Sequence, residues 1–422
     1  MSVAQPEGRL VHLGIGNFAR AHTLLATQRA SGWSVVAFTG RSAAMAEALT
    51  AQDGRYGLIV RGPEDDEVEV IDVIEAVHPA SEVEELVALL ADPLTAVVTL
   101  TITEKGYTAG SDPAVSVPAR LAAGLRARRE AGVEEPLALV SCDNLTGNGV
   151  VLREAVLAAA DEDTRAWAAD HVDVISTMVD RITPAAGEGA AELVRERTGL
   201  DDTVPVVTEP FSEWVIEDAF RGRRPEWEKA GAQLVEDVGV HELRKLRLLN
   251  GAHTLMAYAG QVAGCERVDE AIAHPEVRAL VEALWSEARS TLPLPADELD
   301  AYTAALEERF RNPRLADHLI RIAADGTVKL PVRALPVIAE RGGPAQAPGE
   351  VAAVAAWTAW VTDRVRGGHE VADPRAEDIA AAAAEGTADR DRVVALLGLL
   401  GVGAGDPLVE AVLAEEPRLP RP

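Results

Sequence analysis

At 422 residues the chain exceeds the length over which one hydrophobic core keeps growing, so two domains are expected, and 48% hydrophobic with 26% charged residues is a globular composition. A formal net charge of −28 argues against a nucleic-acid partner, which needs a basic surface. Cys142 and Cys265 are the only cysteines; they cannot build a disulfide framework and, with no histidine cluster nearby, make a poor zinc site, so no metal is expected.

The opening MSVAQPEGRLVHLGIG lacks the basic head and apolar core of a secretion signal. No stretch offers ~18 uninterrupted apolar residues, so a cytoplasmic protein without a membrane partner is expected. Residues 9–15 read as a short buried strand running into Gly14-Ile15-Gly16-Asn17-Phe18-Ala19, and a helix should follow from about Ala19 to Ser31. Ser34–Thr39 reads as a strand, Ala43–Ala51 as a helix, and Gly57–Arg61 and Val68–Ile74 as strands. Ser81–Leu90 reads as a helix with a serine cap and Glu84 three residues on. Thr95–Thr103 is a β-branched run of the buried parallel type. Pro118–Ala131 is helical, Leu137–Ser141 a strand and Gly149–Ala160 helical. This alternation predicts a doubly wound α/β domain over residues 1–234. Beyond it, Ala/Leu/Glu/Arg-rich segments with helical spacing predict a mostly α-helical domain over 235–422.

Gly14-x-Gly16-x-x-Ala19 matches the dinucleotide fingerprint G-x-G-x-x-G/A. The first glycine makes the tight turn, the second admits the pyrophosphate to the backbone, and the third position must be small. Its place between a predicted strand and a predicted helix supplies the context that the bare pattern lacks. The candidate cofactor residues here are Gly14, Ile15, Gly16, Asn17 and Phe18. The acidic residue expected after the second strand is missing: the stretch reads Phe38-Thr39-Gly40-Arg41-Ser42. An acid would bind the ribose diol, whereas Arg41 suits a 2′-phosphate or a solvated loop equally, so the cofactor is NAD or NADP.

Lys245-Leu-Arg-Leu-Leu-Asn250-Gly-Ala-His253 forms the second constellation. Only four of the 40 Lys and Arg residues are lysines: Lys105, Lys229, Lys245 and Lys329. Where arginine is the default cation, a retained lysine points to chemistry that arginine cannot do, namely loss of the proton. On an α-helix, at ~100° per residue, Glu242, Lys245, Asn250 and His253 fall within an arc of roughly 140°. A desolvated lysine suits a general base, and an asparagine amide donates to a carbonyl oxygen or to the alkoxide it becomes. The bland alternative is a surface lysine, a helix-face histidine and an asparagine before Gly251.

Together these segments resemble the long-chain polyol dehydrogenase family, of the mannitol 2-dehydrogenase and fructuronate reductase type. The matching stretches are Gly14 through His22, Thr103-Glu-Lys-Gly-Tyr107, Ser141-Cys-Asp-Asn144-Leu-Thr-Gly-Asn148-Gly149 and Met178-Val-Asp180-Arg-Ile-Thr-Pro184. Glu209 through Asp218, Lys245-x4-Asn250-x2-His253 and Asp325-Gly-Thr-Val-Lys329-Leu-Pro331 continue the match. The resemblance implies a Rossmann domain, a helical domain and a metal-independent reaction. By it, Lys245 is the general acid/base, Asn250 and Asn144 form an oxyanion hole, with Asn148 competing in the same loop, and His253 orients the substrate. Glu242 and Asp180 are acidic site residues, and Arg321 and Lys329 contact substrate hydroxyls or a carboxylate. Thr103, Glu104 and Lys105 fall on the cofactor side.

The expected activity is therefore NAD(P)-dependent interconversion of a secondary alcohol of a polyol or hexonate with the matching ketose or keto-hexuronate. Two other readings use the same features in part: a β-hydroxyacid or phosphogluconate-type dehydrogenase, and a non-catalytic dinucleotide-binding regulator. The clustered cations Arg321, Lys329 and Arg333 suit a substrate carboxylate, unless the arginines sit in surface ion pairs. The partner is a small molecule, and the chain is a monomer or small homo-oligomer.

Overall fold

Buried β-branched runs in this sequence become parallel strands, and their order organises the first half of the molecule. The computed structural model describes residues 6–422 apart from 41, 109, 111, 316, 385 and 387. The chain divides into two units, Met1–His241 and Glu242–Pro422.

The strands are β1 (Gly8–Leu13), β2 (Trp33–Phe38), β3 (Tyr56–Arg61), β4 (Asp66–Ile71), β5 (Ile74–His78) and β6 (Thr95–Leu100), followed by β7 (Leu137–Ser141), β8 (Val172–Ile175), β9 (Thr177–Asp180), β10 (Val206–Thr208), β11 (Glu213–Glu217) and β12 (Gln233–Val235). Six form one all-parallel sheet, in the order β5-β2-β1-β6-β7-β8. Counted within that sheet the order is 3-2-1-4-5-6, the doubly wound arrangement whose winding reverses between β1 and β6. Successive residues feed opposite faces. Leu10, Val35, Val97 and Val140 join one buried cluster, while Val11, Val36, Val98 and Leu139 join another. Two-sided burial explains why all six residues of β6 are buried and why apolar and polar residues do not alternate there. Each such side chain stabilises the sheet by roughly 1.5–3 kcal/mol. Strands β10-β3-β4 and β12-β11-β9 make two smaller sheets.

Three local expectations change. The single helix expected from Ala19 to Ser31 is two, Asn17–Ala21 and Thr23–Ala30, broken at His22 (φ −120°, ψ −78°). At the break the His22 ring packs 5.0 Å from Phe18 and 5.2 Å from Trp214, a tertiary contact that helix propensity cannot register. The strand expected over Val68–Ile74 stops at Ile71, and the chain resumes as β5 in a different sheet. The serine cap is absent: Glu82 precedes the helix Val83–Ala91, and no side chain caps it.

The second unit is helical, as its composition indicates. Its longest helix, Pro348–Arg366, is buried from Gly349 to Thr362 and packs on Gly251–Val262 and Pro275–Arg289. A Cβ at Gly349 would stand 2.4 Å from the Leu284 nitrogen, so this glycine permits the close crossing. Among the described residues no helix is long and apolar enough to cross a membrane.

Candidate active site

Gly14 follows β1 with φ +98°, a conformation that favours glycine. A Cβ here would lie 2.4 Å from the Thr101 carbonyl, so the first glycine serves the close approach of two chain segments. The N–H groups of Gly14 and Ile15 donate to the Phe38 carbonyl at 2.9 and 3.0 Å. Thr101 Oγ1 donates to the Gly14 carbonyl at 2.7 Å. The turn is thereby pinned to the ends of both β2 and β6. Gly16 differs: the nearest atom to a Cβ would be the Gly14 carbonyl oxygen, 3.8 Å away. That open side is where a backbone must admit a pyrophosphate, so the turn fits a dinucleotide. Ala19 is fully buried, which accounts for the small third position. Arg41 lies outside the described residues.

Beneath the turn, His12 is fully buried. Its Nδ1 lies 2.8 Å from Thr99 Oγ1 and its Nε2 3.1 Å from Thr101 Oγ1. Burial pushes its imidazole down to about 4, so it stays neutral.

A cavity of about 410 Å³ opens beside the turn, where the winding reverses. Phe18, residues 101–103, residues 142–145 and Val179 line it, so it gathers Phe18, Thr103 and Asn144. Asp180, next in the chain after Val179, is buried at the end of β9, and Lys105 is exposed on the short turn Glu104–Tyr107. The two asparagines of this loop separate clearly. Asn144 is exposed, whereas Asn148 is fully buried and braces backbone. Asn148 Nδ2 donates to the carbonyls of Asp143 (3.2 Å) and Thr177 (2.8 Å), and its Oδ1 accepts from the Thr177 N–H at 3.1 Å. Cys142 is buried, and burial pushes its thiol up to about 12, which leaves it unreactive.

In the second unit the lysine segment is not a regular α-helix. Lys245–Asn250 is π-helical, set between the α-helices Gly239–Arg244 and Gly251–Val262, and the Gly251 N–H donates to the Leu246 carbonyl five residues back. Such wide turns are frequent at functional sites. On an α-helix a spacing of five puts Lys245 and Asn250 at the two edges of the 140° arc; the wider i→i+5 turn narrows that angle. Lys245, Asn250, His253 and Glu242 are all half-buried.

Of the three clustered cations, the structure separates one from two. Arg321 is exposed and pairs with Asp317 at 2.5 Å, a surface ion pair. Arg333 is half-buried, and its Nη1 donates to the Asn250 carbonyl (3.2 Å) and Thr254 Oγ1 (2.8 Å). One helical turn earlier, Lys329 donates to the Ile322 carbonyl at 3.1 Å. Among the described residues neither Lys329 nor Arg333 makes an ion pair. Burial pushes the Arg333 guanidinium down to about 10, and burial together with the Arg333 charge lowers the Lys329 ammonium. The contact of Arg333 with Asn250 joins segments 83 residues apart, which is why spacing alone did not reveal it. Among the described residues no group of three or more His, Cys, Asp or Glu converges as metal ligands would.

A parallel sheet in this order, with an open glycine turn at its reversal point, is a Rossmann dinucleotide-binding domain. Family models described as the mannitol dehydrogenase Rossmann domain and the mannitol dehydrogenase C-terminal domain match residues 8–229 and 237–416. The D-mannonate oxidoreductase of Escherichia coli is 36% identical over 439 residues, covering 95% of this chain and 90% of that protein. A mannitol 2-dehydrogenase of Pyrenophora tritici-repentis is also 36% identical, covering 92% of this chain and 76% of that protein. Among solved structures, the Pseudomonas fluorescens mannitol 2-dehydrogenase complex with NAD and D-mannitol is 32% identical, with a TM-score of 0.79, covering 100% of this chain and 92% of that one. A substrate-free D-sorbitol dehydrogenase is 28% identical, with a TM-score of 0.86, covering 98% and 93%. The chain belongs to the mannitol dehydrogenase family, and it is an oxidoreductase.

Proposed function

We propose that this enzyme reversibly interconverts a hexonate and the matching keto-hexuronate with NAD or NADP, and that Lys245 moves the hydroxyl proton. The observation that carries the substrate class is the half-buried pair Lys329 and Arg333, neither with an ion-pair partner among the described residues, with Arg333 on the Asn250 carbonyl. Two cations that repel each other away from bulk water are costly, and a substrate carboxylate relieves that cost through charge-assisted hydrogen bonds.

The fit of a dinucleotide at Gly14–Gly16 supports the cofactor, and a bound nicotinamide supplies the hydride acceptor. The chain's own residues do the rest. In alcohol oxidation the neutral Lys245 amine takes the hydroxyl proton, and in ketone reduction the ammonium returns it. The Asn250 and Asn144 amides donate to the oxygen wherever charge develops, and His253 orients the substrate. Glu242 and Asp180 supply negative charge to the proposed site. No step requires a metal, and the two cysteines without a disulfide suit the reducing cytoplasm.

The test compares kcat/KM for fructuronate and fructose, each with NADH and NADPH, in wild type and Arg333→Met. The hexuronate should be preferred, and Arg333→Met should raise its KM by about tenfold or more, the value of one lost charge-assisted contact. Fructose should lose less in KM than the hexuronate, since only the contact Arg333 makes with the Asn250 carbonyl bears on it. A higher kcat/KM for fructose in the wild type sinks the carboxylate reading and leaves a neutral polyol as substrate.

A further inference from the structure

Tyr107 plays no part in the reaction above, yet it joins the two loops that wall the cavity beside the glycine turn. It closes the turn Glu104–Tyr107 that follows β6, and it is buried. Its hydroxyl donates to Asp143 Oδ2 and lies against Ser141 Oγ, at the end of β7. Ser141 sends its own hydrogen to the same carboxylate oxygen at 3.0 Å. Asp143 Oδ1 accepts the Leu145 N–H at 3.0 Å, and the Asp143 carbonyl accepts Asn148 Nδ2 at 3.2 Å. The residues on both sides of Asn144 are therefore tied down, and Tyr107 supplies the tie that comes from the opposite loop. Burial and the adjacent carboxylate push the phenol above its ordinary range, so it keeps the proton it donates.

We infer that Tyr107 is a positioning residue. Through Asp143 it holds the backbone of Asn144, so that the Asn144 amide meets the reacting oxygen without first being ordered. This inference rests on the reading of Asn144 as an oxyanion donor. It differs from a packing role because the ring alone would fill the space, whereas the hydroxyl makes the tie.

A double-mutant cycle tests it, with kcat, KM and dinucleotide Kd measured for Tyr107→Phe, Asn144→Ala and the pair. Tyr107→Phe keeps the ring. It should lower kcat by about tenfold while changing dinucleotide Kd by less than about twofold, and it should cost nothing further once Asn144 is alanine. Ser141→Ala, which removes the second donor to Asp143, should give a smaller loss of the same kind; it carries the cycle if Tyr107→Phe fails to fold. Wild-type kcat in Asn144→Ala removes the asparagine from the mechanism and overturns the tie with it. An impaired Asn144→Ala beside a Tyr107→Phe that is unaffected, or whose full loss adds to that of Asn144→Ala, overturns the tie alone.

Discussion

Lys245 begins the π-helical turn that ends at Asn250, one of four lysines in a chain that otherwise uses arginine. Lys245→Ala should lower kcat by roughly 10²–10⁴, the usual worth of a positioned acid/base. Its dinucleotide affinity should be unchanged, because the amine acts on the substrate oxygen and not on the nucleotide. Lys245→Arg should fail as completely, since a guanidinium does not give up its proton at working pH. Steady-state rates beside calorimetric titration of NADH check both, and an alanine variant with near wild-type kcat removes the residue from the mechanism. Residue type was the legible part of this site. Nothing along the chain distinguished Asn144 from Asn148, because the burial of Asn148 depends on Thr177, 29 residues further on. Nor did spacing separate Arg321, paired four residues back with Asp317, from Arg333, which turns inward to Asn250.

At the scale of elements, the two glycines of the fingerprint do different work. Gly16→Val places a branched side chain on the open side of the turn, and dinucleotide affinity should fall by about tenfold or more, ~1.4 kcal/mol. Unchanged NAD(H) and NADP(H) binding by a folded variant places the cofactor elsewhere. His12 ties β1 to β6 beneath the same turn. Its imidazole titrates near 6.5 unfolded and about 4 folded, so between those values the unfolded chain binds a proton that the folded chain excludes. The contribution of His12 to stability is full above pH 6.5 and is lost as the pH falls toward 4, by ~1.4 kcal/mol per unit and ~3 kcal/mol in all. Urea unfolding from about pH 7 to about pH 4.5 should therefore show a steeper loss for wild type than for His12→Gln. Equal slopes would falsify the assignment to His12. Strands β1, β2, β6 and β7 were legible because burial on both faces writes long apolar runs. In the small sheets β3 and β4 were legible as well, but β9–β12 were not, since they are three to five residues long and take their partners from distant segments. The break at His22 and the π-helical turn were also hidden, because both answer to packing rather than to local propensity.

For the whole molecule, the chemistry assigned to Lys245 predicts that prolonged dialysis against a strong chelator leaves turnover intact. Activity that disappears and returns with added zinc or magnesium contradicts that prediction. The strand order also has a consequence for how the molecule is made. β1 leaves the ribosome before the other strands of its sheet, but it occupies the middle of that sheet, flanked by β2 and by a β6 whose residues lie 86 to 87 positions further along. Until the segment around Thr101 emerges, β1 has an unpaired edge, the Gly14 turn lacks the Thr101 carbonyl it packs against, and an apolar strand stands exposed. Such non-local pairing folds slowly and favours association of partly made chains. Dinucleotide binding is thus a late event in the life of the nascent chain. A high concentration of the cofactor during refolding should raise the final yield by holding completed domains, without hastening the pairing of β1 with β6.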